Sequence, residues 1–464
     1  MGLSDRAIYH GLAWSLFGHF DPLIPWYVFS HRSDPHRSGE RYMFRNGVGA
    51  WRDFVGASRS ALKPNTYLLS TDLANYFEHI DLEKLRQRLL ELVPKCDASS
   101  GEKSAIRQHI NFLLECLKTW AFEPHRGLPQ NRDASSFLAN IYMMPIDEAM
   151  RGKGYEYFRY MDDVKVVCSG KDEARKALKD FILELRKVGL SVNSKKTKIC
   201  AYEDREKIDE CLDSPPSTLE RLDTIWRRKN RTQIARTFPE IMNLALSLIN
   251  EGHVESREFR FCLNRLILLA NTDDFSVPDE FFDPFTDALV DTIGEFSSAT
   301  KGIVDYLSVV KLKTRHVRKL QSFLCDPNRS IYTWQNYLLW LMLAESGQRT
   351  SGLMKRAKTI IRNSSDTAER AGATVYVGAL GNKEDRQLVA KRFFSLESFL
   401  GQRCALVALQ ELPFSPWIKK YVAPFVRSDL IGCYRALRAA PVRYFCERPK
   451  ASLTDDIDRE KDYA

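Results

Sequence analysis

No stretch of this 464-residue sequence is both long and free of charge, because Asp, Glu, Lys and Arg make up 28% of it and interrupt each apolar run. A membrane-spanning helix, which needs about 20 consecutive apolar residues, is therefore not expected. The start, MGLSDRAIYHGLAWSLFGHFD, lacks the basic leader and small-residue cleavage site of a secreted protein. Arg6 stands where a myristoylation signal prefers Ser or Thr. The expected location is the cytoplasm. Ten cysteines, from Cys96 through Cys168 to Cys446, include no C-x-x-C pair, which removes a zinc ribbon or dithiol redox site and leaves reduced thiols. At 44% apolar residues the chain is not a disordered one.

What is present begins with size and charge. A chain of 464 residues predicts two domains or three. The formal charge of +9, from 69 Lys and Arg against 60 Asp and Glu, suits a polyanion without requiring one. Two local clusters are nucleic-acid candidates: Trp226-Arg227-Arg228-Lys229-Asn230-Arg231, and Lys311, Lys313, Arg315, Arg318 and Lys319 along one helix. A solvated helix face explains either cluster equally well.

Residues 1 to about 65 show neither helical nor strand periodicity and predict an irregular region with short strands. YLLSTD from Tyr67 predicts a buried strand, and Asp81 opens a helix that Pro94 ends. Further helices are expected from Ser104 to Trp120 and around 135–150, then a hairpin of YEYFRY and VKVVCS about Met161-Asp162-Asp163. One more helix and one strand follow before about residue 202. From about 215 amphipathic helices succeed one another with hardly any strand pattern, and RAGATVYVGALG from Arg370 resembles RCALVALQEL from Arg403, as stacked helix pairs would.

Asp72 closes the first expected strand, and Asp162 and Asp163 occupy the turn of the hairpin. Were these strands neighbours in one sheet, three acidic groups would meet at one point, where their repulsion is tolerable only with divalent cations. Hard oxygen ligands select Mg2+ or Mn2+. A pair of such ions serves phosphoryl transfer. The hairpin alone leaves a solvent-exposed Asp-Asp turn as the alternative.

Four segments in order turn this into a resemblance. STDLANYFEHID, GLPQNRDASSFLANIYM, YMDD and GLSVNSKKTKI resemble the four palm motifs of reverse transcriptases, over about residues 65 to 200. The resemblance implies an α+β fold with a fingers-like region (1–65), a palm (66–214) and an all-α, HEAT-like helical-repeat domain (215–464). It implies an RNA-directed DNA polymerase that takes deoxynucleoside triphosphates and RNA or DNA. Asp72, Asp162, Asp163 and the carbonyl of Leu73 would hold Mg2+ or Mn2+, and Lys196 would assist the departing pyrophosphate. Phe77 would exclude a ribose 2′-hydroxyl, while Gly127, Pro129, Gln130 and Ser135 would support the template base and incoming nucleotide. Arg32, chosen from His31, Arg32, Arg37, Arg41 and Arg45, would contact the triphosphate.

The chain departs from the family at Asn131, where many members have glycine, and no leucine-glycine primer-grip hairpin follows the fourth motif. The form of the second motif and the helical second half resemble bacterial abortive-infection and other defence-associated reverse transcriptases. That resemblance implies antiphage DNA synthesis, protein-primed in some members, untemplated in some and copying an associated non-coding RNA in others. It also suits a homo-oligomer. A retron or group II intron type enzyme and an inactive RNA-binding scaffold are the alternatives. The Asn-Ala-x-x-His and Val-Thr-Gly motifs of retrons are absent.

Overall fold

The computed structural model describes residues 2–34, 44–121, 123, 125–130, 132–212, 217–274, 276–410, 412, 416–440 and 442–454. Arg37, Arg41 and Asn131 lie outside the described residues. The chain divides into two units, Met1–Ser214 and Pro215–Ala464.

The first unit holds helices α1 (Leu3–Phe20), α2 (Gly47–Ala61), α3 (Tyr76–His79), α4 (Leu82–Leu92), α5 (Ser100–Trp120), α6 (Asp133–Gly152), α7 (Lys171–Val188) and α8 (Arg205–Cys211). Its strands are β1 (Tyr67–Asp72), β2 (Glu156–Tyr160), β3 (Asp163–Cys168) and β4 (Lys198–Ala201), in the antiparallel order β2-β3-β1-β4. Local chemistry sets several of these limits. The Asp81 carboxylate accepts from the N–H groups of Glu83 and Lys84 at the start of α4. Gly189, at φ +84°, closes α7 in the left-handed conformation that glycine tolerates.

Pleating divides the sheet by residue parity. Leu69, Val164 and Val166 enter the large core built with the helices, whereas Leu68 and Val167 pack with Leu62, Cys200 and Ile208. Asp72 and Ser70 share the parity of Leu68, and their cross-strand partners are Asp163 and Lys165. The carboxylates thus sit at the end of the face opposite the large core.

Where it is described, the irregular region expected over residues 1 to about 65 is instead largely helical. On α1, Tyr9, Ala13, Leu16, Phe17 and Phe20 are buried at helical spacing, but Ile8 and Trp14 are exposed at 43% and 54%. These apolar side chains on the solvent face hide the period. On α2, Gly47, Gly49 and Gly56 depress helix propensity, and the Asn46 side chain caps the helix by accepting from the Gly49 N–H.

The described part of the second unit is helical: α9 (Ser217–Arg227), α10 (Arg231–Arg236), α11 (Phe238–Asn250), α12 (Arg257–Ala270), α13 (Asp283–Thr292), α14 (Thr300–Leu307) and α15 (Thr314–Cys325) are followed by α16 (Thr333–Glu345), α17 (Ser351–Asn363), α18 (Thr367–Leu380), α19 (Lys383–Arg392), α20 (Phe399–Ala408), α21 (Pro416–Tyr421) and α22 (Ile431–Ala439). Helices pack on those two places along the chain, α12-α14-α16-α18-α20-α22 in one row and α11-α13-α15-α17-α19-α21 in the other. The row around α18 is close-packed because α18 lacks side chains where its neighbours cross. A Cβ on Gly372 would lie 2.9 Å from the Tyr337 Cα, and one on Gly378 would lie 2.5 Å from the Ala408 Cα. Among the described residues no helix is long and apolar enough to cross a membrane.

Candidate active site

The end of β1 and the β2-β3 turn are bound together. Asp72 and Asp163 are register partners, and the Leu73 N–H donates to the Asp162 carbonyl at 3.2 Å. From the other side, Asn193 clamps Asp72: its backbone N–H donates to the Asp72 carbonyl at 2.7 Å and its Nδ2 to Asp72 Oδ2 at 3.3 Å. Lys196 brings Nζ to 3.4 Å from the same Oδ2 and is otherwise well exposed. Asp72 is 8% exposed.

Charge has gathered here at a cost. Burial, then the charges of Asp72 and Asp163, push the Asp162 carboxyl up to about 6. Burial also raises Asp72, opposed by Lys196 and reinforced by Asp163. Asp163 has a partner of its own, because buried Lys165 donates to its Oδ1 at 3.2 Å and to Ser70 Oγ at 2.8 Å.

The turn itself is strained and braced. Met161 adopts φ +52°, an uncommon conformation for a residue with a Cβ. Its N–H donates to Ser30 Oγ at 3.0 Å, and its carbonyl accepts from Arg159 at 2.9 Å. Arg159 is fully buried and makes a two-pronged pair with buried Asp147, at 2.8 and 2.7 Å. Tyr157 donates to Asp147 at 2.8 Å, and Asn140 joins Arg159 to the Ser30 carbonyl. The charge of Arg159 is thus fully partnered, as a buried ion must be. None of Ser30, Asn140, Asp147, Arg159, Lys165 or Asn193 was picked out as a site residue in the sequence. The available signal was a charge inside each apolar strand, Arg159 in YEYFRY and Lys165 in VKVVCS.

The second motif lies along the segment after Asp72. The Leu128 N–H donates to the Phe77 carbonyl and the Gly127 N–H to the Ile80 carbonyl, both at 2.9 Å. Gly127 has φ +94°, and a Cβ there would meet only ordinary contacts with Phe77 and Glu78, so the glycine answers to backbone conformation. Gln130 Nε2 donates to Glu78 Oε1 at 3.0 Å. With Trp120, Arg126, Leu128 and Pro129 these residues line a cleft of about 580 Å³. Phe77 is half-buried at the core edge beside Tyr76.

Two expected contacts turn inward. Ser135 is fully buried, where it donates to the Pro129 carbonyl at 2.5 Å and bonds the Tyr9 hydroxyl at 2.8 Å, so it shapes the second-motif segment from behind. Arg32 is spent on Asp21: Nε meets Oδ1 at 2.8 Å, and the guanidinium also donates to the carbonyls of Asp21, Pro25 and Val28. A buried carboxylate eleven residues earlier has captured the cation expected at a triphosphate.

Among the described residues no three or more His, Cys, Asp and Glu side chains close round a point as a metal cage. The arrangement nevertheless fits Mg2+, which binds through one or two carboxylates and completes its shell with water and substrate phosphates. Asp72 and Asp162 offer oxygen donors alone, and the raised Asp162 carboxyl marks negative charge that lacks full compensation.

No curated protein matches the chain in sequence. Among solved structures it is similar to apo telomerase from Candida tropicalis, at 12% identity and a TM-score of 0.30, covering 94% of this chain and 61% of that one. It is also similar to telomerase from Candida albicans with the TWJ fragment of telomeric RNA, at 14% identity and a TM-score of 0.26, covering 76% of this chain and 52% of that one. The chain therefore spans about three fifths and about half of the lengths of these two proteins. Residues 30–257, which include all three carboxylates and the strands that present them, match the family model of reverse transcriptase (RNA-dependent DNA polymerase), so the chain carries a reverse transcriptase domain.

Proposed function

We propose that the whole chain synthesises DNA at the Asp72/Asp162 site. The observation that carries this is the convergence of a buried and a half-buried carboxylate, Asp72 and Asp162, each raised by desolvation and by like charge, at the tied ends of β1 and the β2-β3 turn. Divalent ions held by Asp72, Asp162 and the Leu73 carbonyl, with Asp163 beside them, would supply the Lewis acidity for phosphoryl transfer. Asn193 orients Asp72, and Lys196 brings an exposed cation to the side where pyrophosphate would depart. Phe77 borders the sugar of the incoming deoxynucleotide, and the Gly127–Gln130 segment supports its base against the template. Lys165 holds Asp163 in place without touching substrate.

The finer reading is a bacterial antiphage polymerase of the abortive-infection type: a fingers and palm region followed by a HEAT-like repeat domain, located in the cytoplasm, self-associating, and either protein-primed or copying an associated non-coding RNA. The second-motif form LPQ-x-R-x-A-S-S-F-L-A-N-I-Y and the two rows of helices after residue 215 support it. The purified protein, with any nucleic acid that accompanies it, is incubated with Mg2+ and each labelled deoxynucleotide. Portions of the product are then digested with protease or nuclease. Labelled DNA that changes mobility on protease digestion supports protein priming, and free DNA supports a nucleic-acid primer. No incorporation under any condition would overturn the polymerase reading in favour of an RNA-binding scaffold.

A further inference from the structure

The basic stretches of the second unit are of two kinds. One kind is neutralised. Asp283, Asp287 and Asp291 follow one another at single helical turns on α13, and they face Lys313, Arg315 and Lys319, with Arg315 2.8 Å from Asp287 and Lys319 2.7 Å from Asp291. Lys311 lies 3.7 Å from Asp279. In the other expected cluster, Trp226 is buried and donates to Thr237, Arg227 pairs with Asp223, and Arg231 pairs with Asp274. Neither stretch offers a free run of cations.

The second kind retains exposed members outside such pairs. Helices α15, α17, α19 and α21 pack each on the next, and their own acids are Glu384 and Asp385. Arg315 and Lys319 are taken by α13, and Arg356 lies 3.5 Å from Glu369. Asp385 is buried and 2.8 Å from Lys358. Arg318, Lys355, Arg362, Lys383, Lys391 and Lys420 are exposed, and among the described residues none of them sits in an ion pair. Arg318 and Lys355 occupy matching places, each just after a buried pair, His316/Val317 and Leu353/Met354. Aromatic side chains at the far end include Phe394, 55% exposed, and Trp417, whose ring lies 4.7 Å under Lys391 Nζ and stacks on Tyr421.

Packed helices lie about 8–10 Å apart, so exposed cations on four of them extend on the order of 30 Å, long enough to follow several phosphates. Like charges in such a row repel one another until a polyanion neutralises them. Aromatic rings beside cations suit unpaired bases. We infer that this face of the second unit binds the phosphodiester backbone of a single-stranded nucleic acid.

The test uses the full chain and a fluorescent oligothymidylate, with affinity read by anisotropy across a salt series. In the variant carrying Arg318→Gln, Lys355→Gln, Arg362→Gln and Lys383→Gln, binding weakens at least about tenfold near 0.1 M salt. The slope of log affinity against log salt becomes shallower by about 3, since each single-strand phosphate contact contributes about 0.7. Lys355→Gln with Arg362→Gln alone gives about half that change. Lys311→Gln, Arg315→Gln and Lys319→Gln, which empty the acid-paired set, leave the slope as it was. An unchanged slope in the four-site variant at an unchanged thermal midpoint overturns the inference. So does a variant that loses only its binding to phosphatidylserine vesicles, which assigns the face to a membrane. Equal competition by duplex DNA overturns the single-strand assignment. Because the readout is binding, Asp162→Asn protein answers the same question whether or not the chain polymerises.

Discussion

Asp162 shows how a single residue couples stability to function. Its carboxyl is pushed up to about 6 in the fold, so between the ordinary carboxylate value and that point the folded state holds more protons than the unfolded one. Above pH 6 the carboxylate is ionised in both states and its burial among like charges is a full penalty, on the order of 3 kcal/mol for a carboxyl raised from its ordinary value to about 6. Asp162→Asn therefore raises the thermal midpoint at pH 8 without divalent ions, and abolishes nucleotide incorporation. Mg2+ raises the midpoint of the wild type but not of the variant. A variant that retains full incorporation would remove Asp162 from the site. Phe77 is tested by competition between nucleotides. Phe77→Ala admits ribonucleotides in single-turnover assays, and unchanged discrimination would reduce it to a core residue beside Tyr76. The inward turn of Arg32 shows a limit of residue-by-residue reading, because whether an arginine meets substrate or a buried Asp21 depends on where a loop folds back.

At the scale of elements, the β2-β3 hairpin carries a turn that its own sequence does not favour. Two-residue hairpin turns prefer glycine or asparagine where φ is positive, and this one places Met161 there. The conformation persists because Ser30 and Arg159 hold the two ends of the Met161 residue. Ser30→Ala removes one hydrogen-bond acceptor from a fully buried site, at about 1–3 kcal/mol. The expected result is a lower kcat, a higher Mg2+ requirement and little change in nucleotide KM, with rescue by Ser30→Thr. A fall in thermal midpoint with kinetics and Mg2+ dependence intact would make Ser30 purely structural. The strands, α4 and α7 were legible in the sequence because caps, turn glycines and parity are local signals. Helix α1 was not, because exposed Ile8 and Trp14 blur its period.

For the whole molecule, the informative feature is that each unit has a main core of its own. One joins Tyr9 through Leu190 and the other Leu219 through Leu453. Separate cores predict unfolding in more than one step. Calorimetry with and without Mg2+ should move only the transition of the first unit, which holds the carboxylates. A single transition that moves as one would show that the two units melt together.

The sequence by itself determined which residue types stand at the strand ends, the alternation that divides each strand between two faces, and the succession of helices after residue 217, since each follows from neighbours a few positions apart. Tertiary structure alone decided which charges meet. It put Arg159 on Asp147, Lys165 on Asp163, Arg32 on Asp21 and Ser135 against Tyr9, and it set an acidic α13 beside one face of α15 while leaving Arg318 and Lys355 exposed. A charge or hydroxyl has no fixed meaning until register and packing give it a partner, and most of those partners are distant in the chain.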